Sequence, residues 1–145
     1  PISKWQAKCD EIDWRNLNKD VTDLEIKNVI FSMKPFTAPG PDGLPPFFFQ
    51  RYWDIVGPSI CEQIKSIFRT CTIPEGLNDT LTVLIPKIEN PECIGHFRPI
   101  SLCNVTFKIL TKIIVNRIRP ILNRIIGPFQ SSFLPGRLTS DNIII

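Results

Sequence analysis

The sequence predicts an α+β chain, mostly helical, with a single β-hairpin. Three observations carry this. Apolar residues recur at helical spacing over 60–71 and again over 109–125. Only two short stretches, 81–85 and 97–102, read as extended, and turn residues lie between them. Breakers are concentrated in a few places, above all at 37–45. With 145 residues, 43% hydrophobic and 21% charged, the chain can bury a core and is the size of one domain or a piece of one.

Each element follows in order. Residues 1–20 lack clear periodicity and read as a linker, with Trp5 and Trp14 as anchors to a neighbour. Thr22-Asp23-Leu24-Glu25 fits a capping box, flanked by Val21 and Ile26 as a hydrophobic staple. Ile26, Val29, Ile30 and Met33 mark one face of the helix that follows, with its end expected near Lys34 because Pro35 disfavours helix in the residue before it. Thr37 to Pro45 is a rigid loop with three prolines, and its Gly40 and Gly43 permit positive φ or close backbone approach. It lacks the GxxxxGK[ST] pattern of a phosphate cradle. A short aromatic helix is expected from Phe47 to Val56, ending at Gly57, with Pro58 in the first turn of the next. Ile60, Cys61, Ile64, Ile67, Phe68 and Cys71 give that helix a core-facing stripe, closed by Pro74 and Gly76.

Leu81–Ile85 and Phe97–Leu102 read as an antiparallel pair, with Pro86 and Pro99 at strand ends, edges or bulges. Such a pair brings Lys87 and Arg98 to one end. Two cations there suit a triphosphate, although solvated edge-strand charges are an equally ordinary reading. The longest helix follows, with Ile109, Leu110, Ile113, Ile114, Ile118, Ile121, Leu122 and Ile125 as its apolar face and a kink or restart at Pro120. Gly127-Pro128 ends it. Ser140-Asp141-Asn142 is a candidate cap for a final helix.

Charge and cysteine usage narrow the function classes. The net charge is +3, but residues 93–140 carry seven bases (Arg98, Lys108, Lys112, Arg117, Arg119, Arg124, Arg137) and no acid. That points to a polyanion partner, or else to acidic neighbours from elsewhere in the fold. Five cysteines without a CxxC and a single histidine, His96, fit neither a zinc site nor a disulfide framework. They fit a reduced, intracellular protein, nuclear or cytoplasmic. No apolar run is long enough to span a membrane. Both ends of the chain read as cut, so a piece of a longer protein is expected.

Several segments then fit one pattern. Ala38-Pro39-Gly40-Pro41-Asp42-Gly43 is followed by Leu84-Ile85-Pro86-Lys87 with Asn90-Pro91, and by Phe97-Arg98-Pro99-Ile100-Ser101-Leu102-Cys103-Asn104. Lys108, Asn116-Arg117, Gln130-Ser131-Ser132-Phe133, Pro135-Gly136-Arg137 and Asp141-Asn142-Ile143 continue it. In this order and spacing the sequence resembles the reverse transcriptase of plant non-LTR (LINE-type) retrotransposons, from about Val21 to the C-terminus. Thr37 departs from the Lys that relatives often carry there.

The resemblance implies the fingers subdomain of a polymerase right-hand fold, with the palm truncated. Residues 21–145 would be a partial reverse transcriptase domain after a linker at 1–20. It implies that Lys87 and Arg98 grip the triphosphate of an incoming dNTP. It places Gly40 and Gly43 by an RNA template, where a Cβ would obstruct the backbone, and makes Gln130, Phe133 and Arg137 shape the template and nucleotide pocket. Partners would be the RNA template, RNA–DNA hybrid, dNTP and the missing palm and thumb of the parent polyprotein, with no membrane. The full-length enzyme would use Mg2+ held by palm carboxylates. Those Asp motifs are due beyond this chain, so no metal binding and no activity are expected of it alone. Asp42 reads as a turn residue and Asp141 as a cap. The competing reading is a domesticated, non-catalytic RNA-binding module or a decayed retroelement relic.

Overall fold

The computed structural model describes residues 6, 8–127, 130, 134, 136 and 137. Six helices and one two-stranded antiparallel sheet are found among them: α1 (Glu11–Leu17), α2 (Asp23–Phe31), α3 (Pro46–Arg51), α4 (Trp53–Thr70), β1 (Thr80–Pro86), β2 (Phe97–Cys103), α5 (Val105–Ile118) and α6 (Leu122–Ile125). Helix therefore outweighs strand, as the periodicity requires. The described residues fall into two compact units, one of residues 20–113, the other of those up to 19 with those from 114 on.

In the 20–113 unit, α2 begins where the sequence places it. Thr22 adopts extended backbone and its hydroxyl accepts the Glu25 amide at 3.2 Å. The helix ends at Phe31, earlier than Pro35 alone dictates, and the Gln50 side-chain amide donates to the Ile30 and Met33 carbonyls at 2.9 Å each. A side chain from α3 thus ties down two carbonyls at and just beyond the end of α2.

The expected break at Gly57-Pro58 does not occur. Helix α4 runs straight through both, and the break falls at Tyr52 instead. Gly57 is buried, and a Cβ there would lie 2.8 Å from the Trp53 indole. This glycine makes room for the ring one turn earlier in the same helix and does not end one. Pro58 leaves the Asp54 carbonyl without a helical donor. The helix stops at Cys71, whose left-handed φ of 53° turns the chain before Pro74 and Gly76 are reached.

The core joins Ile26, Val29 and Ile30 of α2, Phe49 of α3, Cys61, Ile64 and Ile67 of α4, and Val105, Ile109, Leu110 and Ile113 of α5. Ile26, Ile30, Ile64, Ile109 and Ile113 are fully buried. Each removes roughly 1.5–3 kcal/mol of apolar surface energy from water. Ile114 of α5, expected on the apolar face, is instead exposed.

In the other unit, the segment expected as a linker holds α1. Asp10 and Asp13 form a reciprocal capping box that opens it. Trp14 is exposed and Trp5 lies outside the described residues; the side chains that hold this segment are Arg117 and Arg124. Arg117 donates to the Leu17 and Lys19 carbonyls, and Arg124 pairs with Asp10 and with buried Asp13. Pro120 starts a 3-10 turn, Arg119–Ile121, between α5 and α6. No helix of the described residues is long and apolar enough to cross a membrane.

Candidate nucleotide and nucleic-acid interface

The hairpin register pairs Leu81 with Leu102, Val83 with Ile100 and Ile85 with Arg98. Side chains alternate along a strand, so these six share one face of the ribbon. The opposite face carries Thr80, Thr82, Leu84 and Pro86 with Cys103, Ser101, Pro99 and Phe97. Lys87 extends the pairing by one step, its amide donating to the His96 carbonyl at 2.7 Å. By parity Lys87 falls on the Ile85–Arg98 face, diagonal to Arg98, a spacing of about 7–8 Å between Cα atoms in such ladders. Both residues are exposed, as is every residue of β1.

Their surroundings differ. The Lys87 ammonium donates to the Gly95 carbonyl at 2.9 Å, folding back over its own loop. That loop is further closed by the Glu92 amide donating to His96 Nδ1 at 3.1 Å and the His96 amide donating to the Cys93 carbonyl at 2.9 Å. Arg98 has no hydrogen bond or ion pair among the described residues. An ammonium has three donors, so Lys87 retains two for a ligand.

The 38–44 loop explains its two glycines separately. Gly43 sits at φ +70° with open space where a Cβ would be, so it is needed for the left-handed backbone. Its amide closes a turn on the Gly40 carbonyl, and Asp42 accepts the Leu44 amide at 3.0 Å, the turn role expected of it. Gly40 has no such φ. A Cβ there would lie 2.3 Å from the Asn104 amide nitrogen. The close approach at Gly40 is thus to this chain's own backbone.

The acid-free basic stretch divides. Arg117 and Arg124 hold α1, and acidic residues from elsewhere in the sequence do meet it, as the second reading of that stretch allowed. Arg124 is pushed up chiefly by its hydrogen bond to Asp13. Asp10 is held below the usual carboxylate range by the Asp13 amide and, less, by Arg124. Arg137 donates to the carbonyls of Asn123, Ile126, Gly127 and Gln130, tying off the end of α6. Lys108 donates to the Ala38 carbonyl at 3.2 Å. Arg98, Lys112 and Arg119 are left without a partner among the described residues. Gln130 is exposed, and Phe133 lies outside the described residues.

The described residues contain no group of three or more His, Cys, Asp or Glu side chains able to hold a metal. Two Mg2+ ions would need such carboxylates, so the donor set present does not fit them. Burial, with Asp23 alongside, pushes the Cys61 thiol up to about 11.

Sequence reasoning missed Asn104 and the Arg117–Arg124 anchorage. The signal for the second was present in the Asp10-x-x-Asp13 spacing of a capping box. Nothing in the sequence marks which distant loop a buried asparagine will reach.

Residues 85–144 match the sequence profile of the reverse transcriptase (RNA-dependent DNA polymerase) family. The chain is 32% identical over 129 residues, 89% of its length, to the transposon TX1 uncharacterized 149 kDa protein of Xenopus laevis, covering 10% of that protein. It is 31% identical over 110 residues to the retrovirus-related Pol polyprotein of the type-2 retrotransposable element R2DM of Drosophila melanogaster, covering 75% of this chain and 10% of the relative. With the Pol polyprotein of the type-1 retrotransposable element R2 of Nasonia vitripennis it shares 35% identity over 108 residues, 72% of this chain and 10% of that one. The chain thus spans about a tenth of the length of these curated relatives. It carries a partial reverse transcriptase domain, homologous to the Pol polyproteins of non-LTR retrotransposons.

Proposed function

We propose that residues 21–145 contribute the fingers and the start of the palm to an RNA-directed DNA polymerase of a LINE-type retrotransposon of the plant kind, working inside the cell. In this reading Lys87 and Arg98 bind the triphosphate of the incoming dNTP, and the 38–44 loop faces the RNA template. Gln130, Phe133 and Arg137 shape the pocket, Arg137 by holding its loop through four carbonyls. The observation that carries the reading is the hairpin register, which sets two exposed cations on one face at the loop end of the ribbon. RNA–DNA hybrid and the remainder of the polymerase are the other partners. A stand-alone RNA-binding module is less well supported, since Arg117, Arg124 and Arg137 spend their donors inside the protein.

The test is titration of the purified chain with a fluorescent dNTP and, separately, with an RNA duplex across a salt series. Lys87→Ala and Arg98→Ala should each weaken triphosphate binding about tenfold, the scale of a charge-assisted hydrogen bond. Arg98→Ala, Lys112→Ala and Arg119→Ala should each lower the salt slope of RNA binding by close to one ion. Arg124→Ala should instead lower stability. Unchanged triphosphate affinity in both hairpin variants would overturn the assignment.

A further inference from the structure

We propose that Asn104 is a positioning residue that couples the 38–44 loop to the β-hairpin, so that the two candidate contact surfaces move as one body. The proposal rests on the reading above for what those surfaces bind, but the coupling itself stands on geometry. Asn104 follows the last residue of β2, and its carbonyl accepts the Lys108 amide at 3.0 Å to begin α5. Its side chain is not used to cap that helix. It is buried, and its Oδ1 accepts the Asp42 amide at 3.1 Å across 62 residues of sequence. Its Nδ2 donates to the carbonyls of Gly76 and Leu77 at 3.5 Å each, in the turn that leads into β1.

One amide therefore grips three things: the 40–43 turn, the segment entering β1 and the segment leaving β2. The two strand ends it holds are the base of the hairpin, where Thr80 pairs with Cys103. Gly40 completes the joint. Its Cα packs so closely on Asn104 that an added Cβ would meet the Asn104 amide nitrogen at 2.3 Å and the Cys103 carbonyl carbon at 2.4 Å. Lys108, one turn into α5, adds a second tether to the same loop through the Ala38 carbonyl. The hairpin adds no residue to the buried core, so its orientation depends on what happens at its base. A two-stranded ribbon has little rigidity of its own. Lys87 and Arg98 act at its far end, where a small rotation at the base is magnified.

The test reads hydrogen exchange and ligand affinity together in the full chain. Asn104→Ala and Gly40→Ala should each speed exchange about tenfold or more at the Asp42 amide and also along the β1–β2 ladder, the scale of one lost buried hydrogen bond. They should weaken triphosphate binding about tenfold, although neither residue reaches the hairpin tip. Lys87→Ala should weaken triphosphate binding and leave exchange at Asp42 unchanged. Ile109→Val supplies the purely structural comparison: it lowers the melting temperature without selective loosening of loop and ladder. Should Asn104→Ala fail to fold, Asn104→Asp decides. It keeps the acceptor for Asp42 and loses the donors to Gly76 and Leu77, so it should loosen the ladder while Asp42 stays protected. Faster exchange confined to the loop in Asn104→Ala, or wild-type behaviour in Asn104→Asp, would overturn the coupling. If the wild-type chain binds no triphosphate, the functional reading fails, and the exchange data still decide the coupling.

Discussion

The helices of residues 20–113 and the hairpin in the same unit are both rich in Ile, Leu and Val, yet they end in opposite environments. Ile26, Ile30, Ile64, Ile109 and Ile113 are fully buried. Leu81, Val83, Leu84, Ile85 and Ile100 of the ribbon are exposed. Stripes at 3.6-residue spacing on several helices can close on one another, and each helix supplies the cover for the next. A two-stranded ribbon has no layer to close on, so its apolar content cannot become a core without something laid against it. Apolar composition states how much surface is available for burial; only topology states whether this chain buries it.

The largest effect that can break this contrast is in the core. Ile64→Ala should destabilise the chain by about 2–5 kcal/mol in urea unfolding, whereas Ile100→Thr on the ribbon should stay within about 0.5 kcal/mol of wild type. Equal losses would mean that the ribbon is buried in solution. Next in size is the start of α2: Thr22→Ala removes the acceptor of the Glu25 amide and should cost about 1 kcal/mol by the same measurement. A neutral result there would show that packing of Val21 and Ile26 alone sets the helix start.

The smallest expected effect belongs to the ion pair of Lys65 and Asp23 at 2.6 Å, both partly exposed. Asp23 is held below the usual carboxylate range, mainly by its hydrogen bond to Lys65. A lowered folded value means the unfolded chain takes up the proton first. The stability from this pair is therefore full above about pH 4 and fades as pH falls through the lowered folded value. The gap in urea midpoint between wild type and Asp23→Asn should be small at pH 7 and close on acidification. A gap that persists at low pH would assign it to something other than the charge.

What could be read in advance follows the same division between local and long-range causes. The start of α2, the antiparallel hairpin and the interruption at Pro120 rest on residues within a turn of one another, and the sequence contains all of them. A boundary is expected at Gly57 because a glycine before a proline is ordinarily a terminator, while here the Trp53 ring needs its space. Helix α1 is not legible locally because its support comes from Arg117 and Arg124, more than 90 residues away. The same distance concealed that part of the basic stretch is already neutralised. The juxtaposition of Lys87 and Arg98 is legible because one hairpin brings them together. That of Asn104 and its partner loop is not, because the loop is 62 residues distant.

The close approach at Gly40 also bears on how copies of such a sequence would age. A retroelement copy that has lost its chemistry but still has to fold remains under the packing demand at residue 40, since no side-chain change at 104 can move a backbone nitrogen 2.3 Å from an added Cβ. Arg98 answers to no packing demand among the described residues and, on the proposed reading, would drift once triphosphate binding ceased to matter. Across a lineage of copies, an intact Gly40 dates only the survival of the fold. On the proposed reading, an intact Arg98 dates the survival of selection for triphosphate binding at the hairpin tip.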